Sequence, residues 1–194
     1  MTLTAKGAAT RRRIVAGAAA EVRERGVIAT TLDDIRARTG TSKSQLFHYF
    51  PDGKDQLLLE VARFEADRVI DDQQPYLGNL TSWAAWEAWR DTVLSRYRAQ
   101  GRHCPLSVVT SQLGRTTPGA QAVVSELVRR WQAELSTGIR AMQSTGDVRP
   151  ELDPEATAAA VIAGLQGGVL IMLSTGELTH LAATLDLALA YLRG

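Results

Sequence analysis

Thr31-Leu32-Asp33-Asp34-Ile35-Arg36-Ala37-Arg38-Thr39-Gly40-Thr41-Ser42-Lys43-Ser44-Gln45-Leu46-Phe47-His48-Tyr49 is the stretch on which the fold turns. Thr31 stands three residues before Asp34, and Ser42 three before Gln45. This is the spacing of a capping box, in which a hydroxyl and a carboxyl or amide satisfy each other's backbone N–H. Two short helices follow, Leu32 to Arg38 and Ser42 to Tyr49, with a break at Gly40 between them. Leu32, Ile35, Leu46 and Phe50 face inward. Upstream, Ile14, Val15, Ala18, Ala19 and Val22 draw one apolar stripe along a helix from Thr10 to Arg25, which Gly26 stops. Downstream, after a Pro51-Asp52-Gly53 turn, Leu57, Leu58, Val61 and Phe64 form the buried side of a helix from Lys54 to Ile70.

Beyond this head the apolar residues keep recurring at three- and four-residue spacing, and strand signals are scarce. Gln73 to Asn79, with Pro75 and Gly78, reads as a loop. Helices are expected over Leu80 to Ala99, Leu106 to Leu113, Thr117 to Ser144, Pro154 to Leu173 and Glu177 to Leu192. The chain is therefore expected to be all-α with nine helices. The expected division is a three-helix domain over residues 1–53 and a six-helix domain over residues 54–194. Ala156 to Leu173 falls short of a membrane span and reads as a helix buried in a bundle or at a subunit interface.

At 194 residues, with 45% hydrophobic and 22% charged, disorder is ruled out and a substantial core is available. One cysteine, Cys104, excludes a disulfide scaffold. The three histidines, His48, His103 and His180, are too scattered for zinc-finger spacing, so no metal is expected. The basic opening has no apolar stretch behind it, so no secretory signal is read and the protein is expected to be cytoplasmic. Nucleophile-elbow, phosphate-loop and dinucleotide motifs are missing, so neither an enzyme nor a cofactor is expected. Net charge is only +1, but it is unevenly spread. Residues 1–54 carry ten basic against five acidic side chains, and the remainder twelve against sixteen, giving +5 and −4. A basic head on a mildly acidic body suggests a polyanionic partner at one end.

Two short helices about a glycine turn, behind a longer packing helix, match a helix-turn-helix reader of double-stranded DNA. A helix reads the major groove only through polar side chains on its exposed face, here Lys43, Ser44 and Gln45. Lys43 can donate to guanine. Gln45 either pairs with adenine or spends its amide in the capping box. Thr31 and Ser42, at helix starts, can hold phosphates, as can Lys54, while His48 and Tyr49 lie towards the backbone.

The run Arg13-Ile14-Val15 to Gly26, then Thr30 to Ile35, Gly40 to Phe50 and Lys54-Asp55-Gln56-Leu57, resembles the TetR family of transcriptional regulators. The resemblance covers about residues 10–60, with the helix order extending it to the end. It implies a homodimer, most often a repressor, that leaves a palindromic operator when the body binds a small-molecule effector. Phe47 departs from the tyrosine usual there and so loses a phosphate hydrogen bond. Arg36, Thr39 and Thr41 replace residues that are usually small or apolar, and Asp52-Gly53 lengthens the following loop by one residue.

By the same resemblance the last two helices pair with their symmetry mates. Ala160, Gly164, Gly167 and Gly168 offer a small face, with Ile171 beside it and Leu181, Leu185 and Leu189 as the facing stripe. The other reading is that these residues close the monomer's own core. Trp86, Trp89 and Val93, with Gln112, Trp131 and Gln166 from other helices, are candidates to line the effector site, or else plain core. Cys104 is either a buried apolar residue or an oxidation sensor. Two other classes compete: an interaction module whose head no longer binds DNA, and a small helical enzyme using the tryptophan-lined body.

Overall fold

The computed structural model describes residues 4–101, 104 and 117–194. Its helices are α1 (Ala5–Ala29), α2 (Leu32–Thr39), α3 (Lys43–Tyr49), α4 (Lys54–Asp71), α5 (Trp83–Gln100), α6 (Pro118–Ser144), α7 (Pro154–Thr175) and α8 (Thr179–Arg193). A 3₁₀ turn at Leu77–Asn79 sits where a loop was expected. No strand occurs among the described residues. The helix expected over Leu106 to Leu113, and with it Gln112, lies outside them.

Both capping boxes are present, at Thr31 with Asp34 and at Ser42 with Gln45. The first helix differs from expectation at both ends. It starts at Ala5, because the Thr4 hydroxyl accepts from the Gly7 N–H at 3.2 Å and supplies the cap. At Gly26 (φ 81, ψ 161) the helix is broken, yet one further turn forms before Thr30. Only glycine adopts that conformation cheaply, so the break is a kink written into the sequence.

The chain groups into two compact units. The first takes the chain up to Val69 and a later stretch ending at Ser125; the second holds Ile70–Cys104 and Glu126–Gly194. The expected division before Lys54 is therefore not where the contacts divide. Leu57, Val61 and Ala62 of α4 are fully buried with Ile14, Ala18, Ala19 and Val22 of α1, Ile35 of α2 and Phe50, so the first turns of α4 complete the head's core.

Gly17 lets α1 and α2 approach closely. A Cβ at this position would lie 2.2 Å from Thr39 Cγ2, an impossible contact. Thr39 is itself buried and its hydroxyl donates to the Ile35 carbonyl at 2.7 Å. The Arg13 guanidinium donates to the Thr39 carbonyl from the α1 side. Gly40 ends α2 in the left-handed region (φ 58, ψ 36), and the Thr41 N–H closes back on the Arg36 carbonyl at 3.1 Å.

In the second unit, α5 buries Trp86, Trp89, Val93, Leu94 and Tyr97, and α6 buries Trp131, Leu135, Ile139 and Met142. α7 starts with Asp153 as its cap and Pro154 in its first turn. The α7 and α8 pair corrects the expected dimer face. Gly168 is buried, and a Cβ there would stand 2.7 Å from Leu181 Cα; one at Gly164 would stand 2.6 Å from Thr184 Cγ2. Leu181, Leu185 and Leu189 are buried in their own chain. Those five residues close the α7–α8 contact, because small residues are needed wherever two helices of one chain meet backbone to backbone. Ala160, Gly167 and Ile171 remain exposed. By length and composition alone α7, at 22 residues, is long and apolar enough to cross a membrane. Here Val161, Ile162, Leu165, Val169 and Met172 are buried within the protein.

Gly17→Ala is expected to lower stability despite alanine's helix advantage of about 1 kcal/mol, because the overpacking costs about 1–3 kcal/mol. In a Thr39→Ser background, which removes the clashing methyl, the same change should be neutral or stabilising in a denaturant titration.

Candidate DNA-binding face

α3 is a seven-residue helix presented by the turn after Gly40. Its inward side is Leu46, fully buried, with Phe50 closing the end. Its outward side is Lys43, Ser44, Gln45, Phe47 and His48, all exposed. The Ser42 hydroxyl accepts from the Gln45 N–H at 3.1 Å, and Gln45 Oε1 accepts from the Ser42 N–H at 3.3 Å. The Gln45 side chain thus spends its oxygen on the cap and keeps its amide hydrogens on the outer face. Phe47 is 40% exposed. The His48 ring meets Tyr49 edge-on at 4.9 Å, and Tyr49 is half-buried against the core.

α2 is fixed by charge. The Asp34 carboxylate accepts from the Thr31 hydroxyl at 2.6 Å and the Thr31 N–H at 2.9 Å, and pairs with Arg25 at 2.6 Å. These bonds, the Thr31 hydroxyl first, lower its pKa to about 2. Arg38 reaches back to α1, donating to Glu21 at 2.7 Å and also to Glu24. Thr31 is exposed at the helix start, but its hydroxyl is engaged with Asp34.

The basic residues of the head are mostly occupied. Arg11 pairs with Glu60 at 2.8 Å, Arg36 with Asp33 at 2.6 Å, and Arg23 with the buried Glu65. Lys54, expected on a phosphate, is half-buried and donates to the Val27 carbonyl at 3.1 Å. Two of its three ammonium hydrogens remain. Arg12 and Lys43 form no ion pair among the described residues. Sequence reading missed this division between structural and open cations. The signal was present in Glu21, Glu24 and Asp34, acids set among the arginines that they hold.

The candidates in the second unit are placed as follows. Trp86, Trp89, Val93 and Trp131 are buried, and Gln166 is half-buried. Trp86 and Trp89 stack edge to face at 5.8 Å. Trp89 Nε1 donates to Gln73 Oε1 at 2.9 Å, a partner that sequence reading did not name. Cys104 is buried beside Tyr97, whose pKa is pushed well above its usual value, first by burial and then by Cys104.

A glycine-turned pair of short helices with a polar outer face defines a helix-turn-helix DNA-binding regulator. The comparisons narrow this to a family. Residues 14–61 match the domain of "Bacterial regulatory proteins, tetR family", and residues 83–188 match "Tetracyclin repressor-like, C-terminal domain". The chain belongs to the TetR family of transcriptional regulators, which are not enzymes. An uncharacterized HTH-type transcriptional regulator of Mycobacterium tuberculosis is 28% identical over 178 residues, 88% of each chain. A TetR transcriptional regulator from Chloroflexus aurantiacus superposes with a TM-score of 0.82 at 26% identity, covering 97% of this chain and 96% of that one. SmeT, the repressor of a Stenotrophomonas maltophilia multidrug efflux pump, shares the fold in its triclosan complex. Its TM-score is 0.73 at 20% identity, over 94% of this chain and 90% of that one.

The lowered pKa of Asp34 means that its bonds stabilise the fold above the ordinary carboxylate value and are lost as pH falls through about 2. Asp34→Asn is expected to lower the melting temperature at pH 6, and the gap to the unsubstituted protein should close as pH approaches 2.

Proposed function

We propose that this chain is a homodimeric repressor that reads a palindromic operator through α3 and leaves it when a small molecule binds in the second unit. The observation carrying this reading is the outer face of α3. Lys43, Ser44 and Gln45 stand exposed on a helix start fixed by a double cap, and Lys43 forms no ion pair among the described residues. Lys43 donates to guanine O6 and N7, and the Gln45 amide hydrogens donate to base acceptors. Ser42, His48, Tyr49 and the remaining Lys54 hydrogens hold phosphates, Thr31 does not because its hydroxyl and N–H both donate to Asp34, and Phe47 packs on sugar or on a thymine methyl.

A face of a few residues needs a second copy for operator affinity. The surface that supports pairing consists of Leu170 and Ile171 on α7, and Leu187 and Tyr191 on α8, large apolar side chains left 38% to 71% exposed. Leu187 and Tyr191 also line an apolar groove of about 600 Å³, together with Leu152, Ala156, Ala160 and Gly164 among others. Exposed apolar area this concentrated marks an interface. Ala160, Gly167 and Ile171 stay in it, and Leu170, Leu187 and Tyr191 join them.

Release by a small molecule is supported by the concentration of buried tryptophan in the second unit and by the likeness to SmeT, solved with triclosan. A ligand weakens DNA binding only by its preference for a conformation that mispositions the heads, typically by about 1–3 kcal/mol.

With about six phosphates neutralised per dimer, log K for the operator should fall against log salt with a slope near −5, and a flat titration would remove the reader. Lys43→Ala or Gln45→Ala should cost about 1–3 kcal/mol at one or two base pairs. Leu187→Glu with Tyr191→Glu should give a folded monomer in analytical ultracentrifugation; a persisting dimer would move the interface elsewhere.

A further inference from the structure

The arginines of the head mostly tie one helix to another. Arg11 and Arg23 on α1 reach Glu60 and Glu65 on α4, Arg25 reaches Asp34 on α2, and Arg38 returns from α2 to Glu21 and Glu24. Arg36 does not. Among the described residues its guanidinium has one partner, Asp33, three positions back on the same helix at 2.6 Å. The Asp33 side chain is 84% exposed, more than any other acid in the ion pairs of the head, and a pair so open to water contributes little to stability. Arg36 Nε is buried and has no hydrogen-bond partner among the described residues, although an N–H kept from water and unpaired is costly.

The surroundings of Arg36 suggest what the side chain is for. Together with Asp33, Ala37, Gly40, Thr41 and Ser42 it lines an open depression of about 490 Å³. The depression therefore spans α2, the glycine turn and the residue that leads into Lys43, Ser44 and Gln45. Two groups bring unspent donors to it. The guanidinium keeps hydrogens beyond the one given to Asp33, and the Ser42 hydroxyl, whose oxygen accepts from the Gln45 N–H, keeps its own hydrogen. The Thr41 hydroxyl is engaged with Thr39. Asp33 is the one acid on the rim, so an arriving anion has a single competitor for the guanidinium. A guanidinium offers its N–H groups as a planar fork that matches the oxygens of a phosphate.

We propose that Arg36 leaves Asp33 for a phosphate of the DNA backbone and grips it together with Ser42, so that Asp33 sets how readily α2 takes hold of the duplex. This deepens the DNA-reading role given to α3 and rests on it. Turning out to the phosphate also releases Nε from its unpaired position. A phosphate carries no base identity, so the contact adds affinity and register without sequence preference.

The test titrates the full-length protein, over a salt series, with one duplex recovered by selection from random DNA and one of unrelated sequence. Arg36→Ala is expected to weaken both by the same factor, about tenfold, and to make the salt slope shallower by about 2 per dimer. Arg36→Lys should restore the slope but not the full affinity, because an ammonium lacks the fork. Both variants should melt close to the parent, since the pair they break lies in one helix and in water. Asp33→Asn removes a repulsive charge as well as a competitor, so it is measured with and without Arg36. Binding should tighten about fivefold in the parent and at most about twofold in Arg36→Ala. Neutral methylphosphonates placed one at a time in the selected duplex should reveal a position that weakens the parent and leaves Arg36→Ala unaffected. An unchanged affinity in Arg36→Ala, an effect confined to the selected duplex, or equal gains from Asp33→Asn in both backgrounds overturns this inference and leaves the α3 reading standing. A parent that binds neither duplex at low salt overturns both.

Discussion

The approach of α1 to α2 at Gly17 and Thr39 is the contact on which the head depends. With no side chain at Gly17, the Thr39 methyl fills the space where a Cβ would stand, and the Arg13 guanidinium fastens the Thr39 carbonyl from the same side. Both contacts act on the last residue of α2, one position before the left-handed Gly40 that turns the chain into α3. The direction of α3 is thereby set by the end of α2, and the end of α2 by α1. Seven residues have little helical stability of their own. The outer face of α3 keeps a defined aim because its double cap, the buried Leu46 and this upstream contact hold it together.

Charge in the head serves two purposes. Arg11, Arg23, Arg25 and Arg38 hold helices to one another through Glu60, Glu65, Asp34, Glu21 and Glu24. A cation committed to a carboxylate contributes less to attracting a polyanion than its formal charge suggests. The balance of +5 read from the sequence therefore overstates the field that DNA meets, and Lys43 matters more than its share of that balance.

In the second unit the roles of small and large residues reverse what spacing suggests. Gly164 and Gly168 look like an invitation to a partner helix, yet they receive Thr184 and Leu181 of the same chain. The bulky Leu170, Leu187 and Tyr191 are the side chains left facing out. A close helix pair within one subunit takes up the small residues first. What this pairing leaves uncovered is apolar surface, Leu170, Leu187 and Tyr191 included.

The sequence alone determined the helical period, both capping boxes, the glycine turn and the polar run of α3, because each depends on residues within a few positions of one another. It was also enough to suggest the family from the head. Tertiary structure decided what depends on residues far apart: that Lys54 turns to the Val27 carbonyl, that the head's core extends into α4, and that Leu181, Leu185 and Leu189 lie inside while Leu187 lies outside. It also left Trp86 and Trp131 without acceptors among the described residues while giving Trp89 one in Gln73. An apolar stripe fixes which side of a helix is buried, but the neighbour that buries it is chosen only when the whole chain packs.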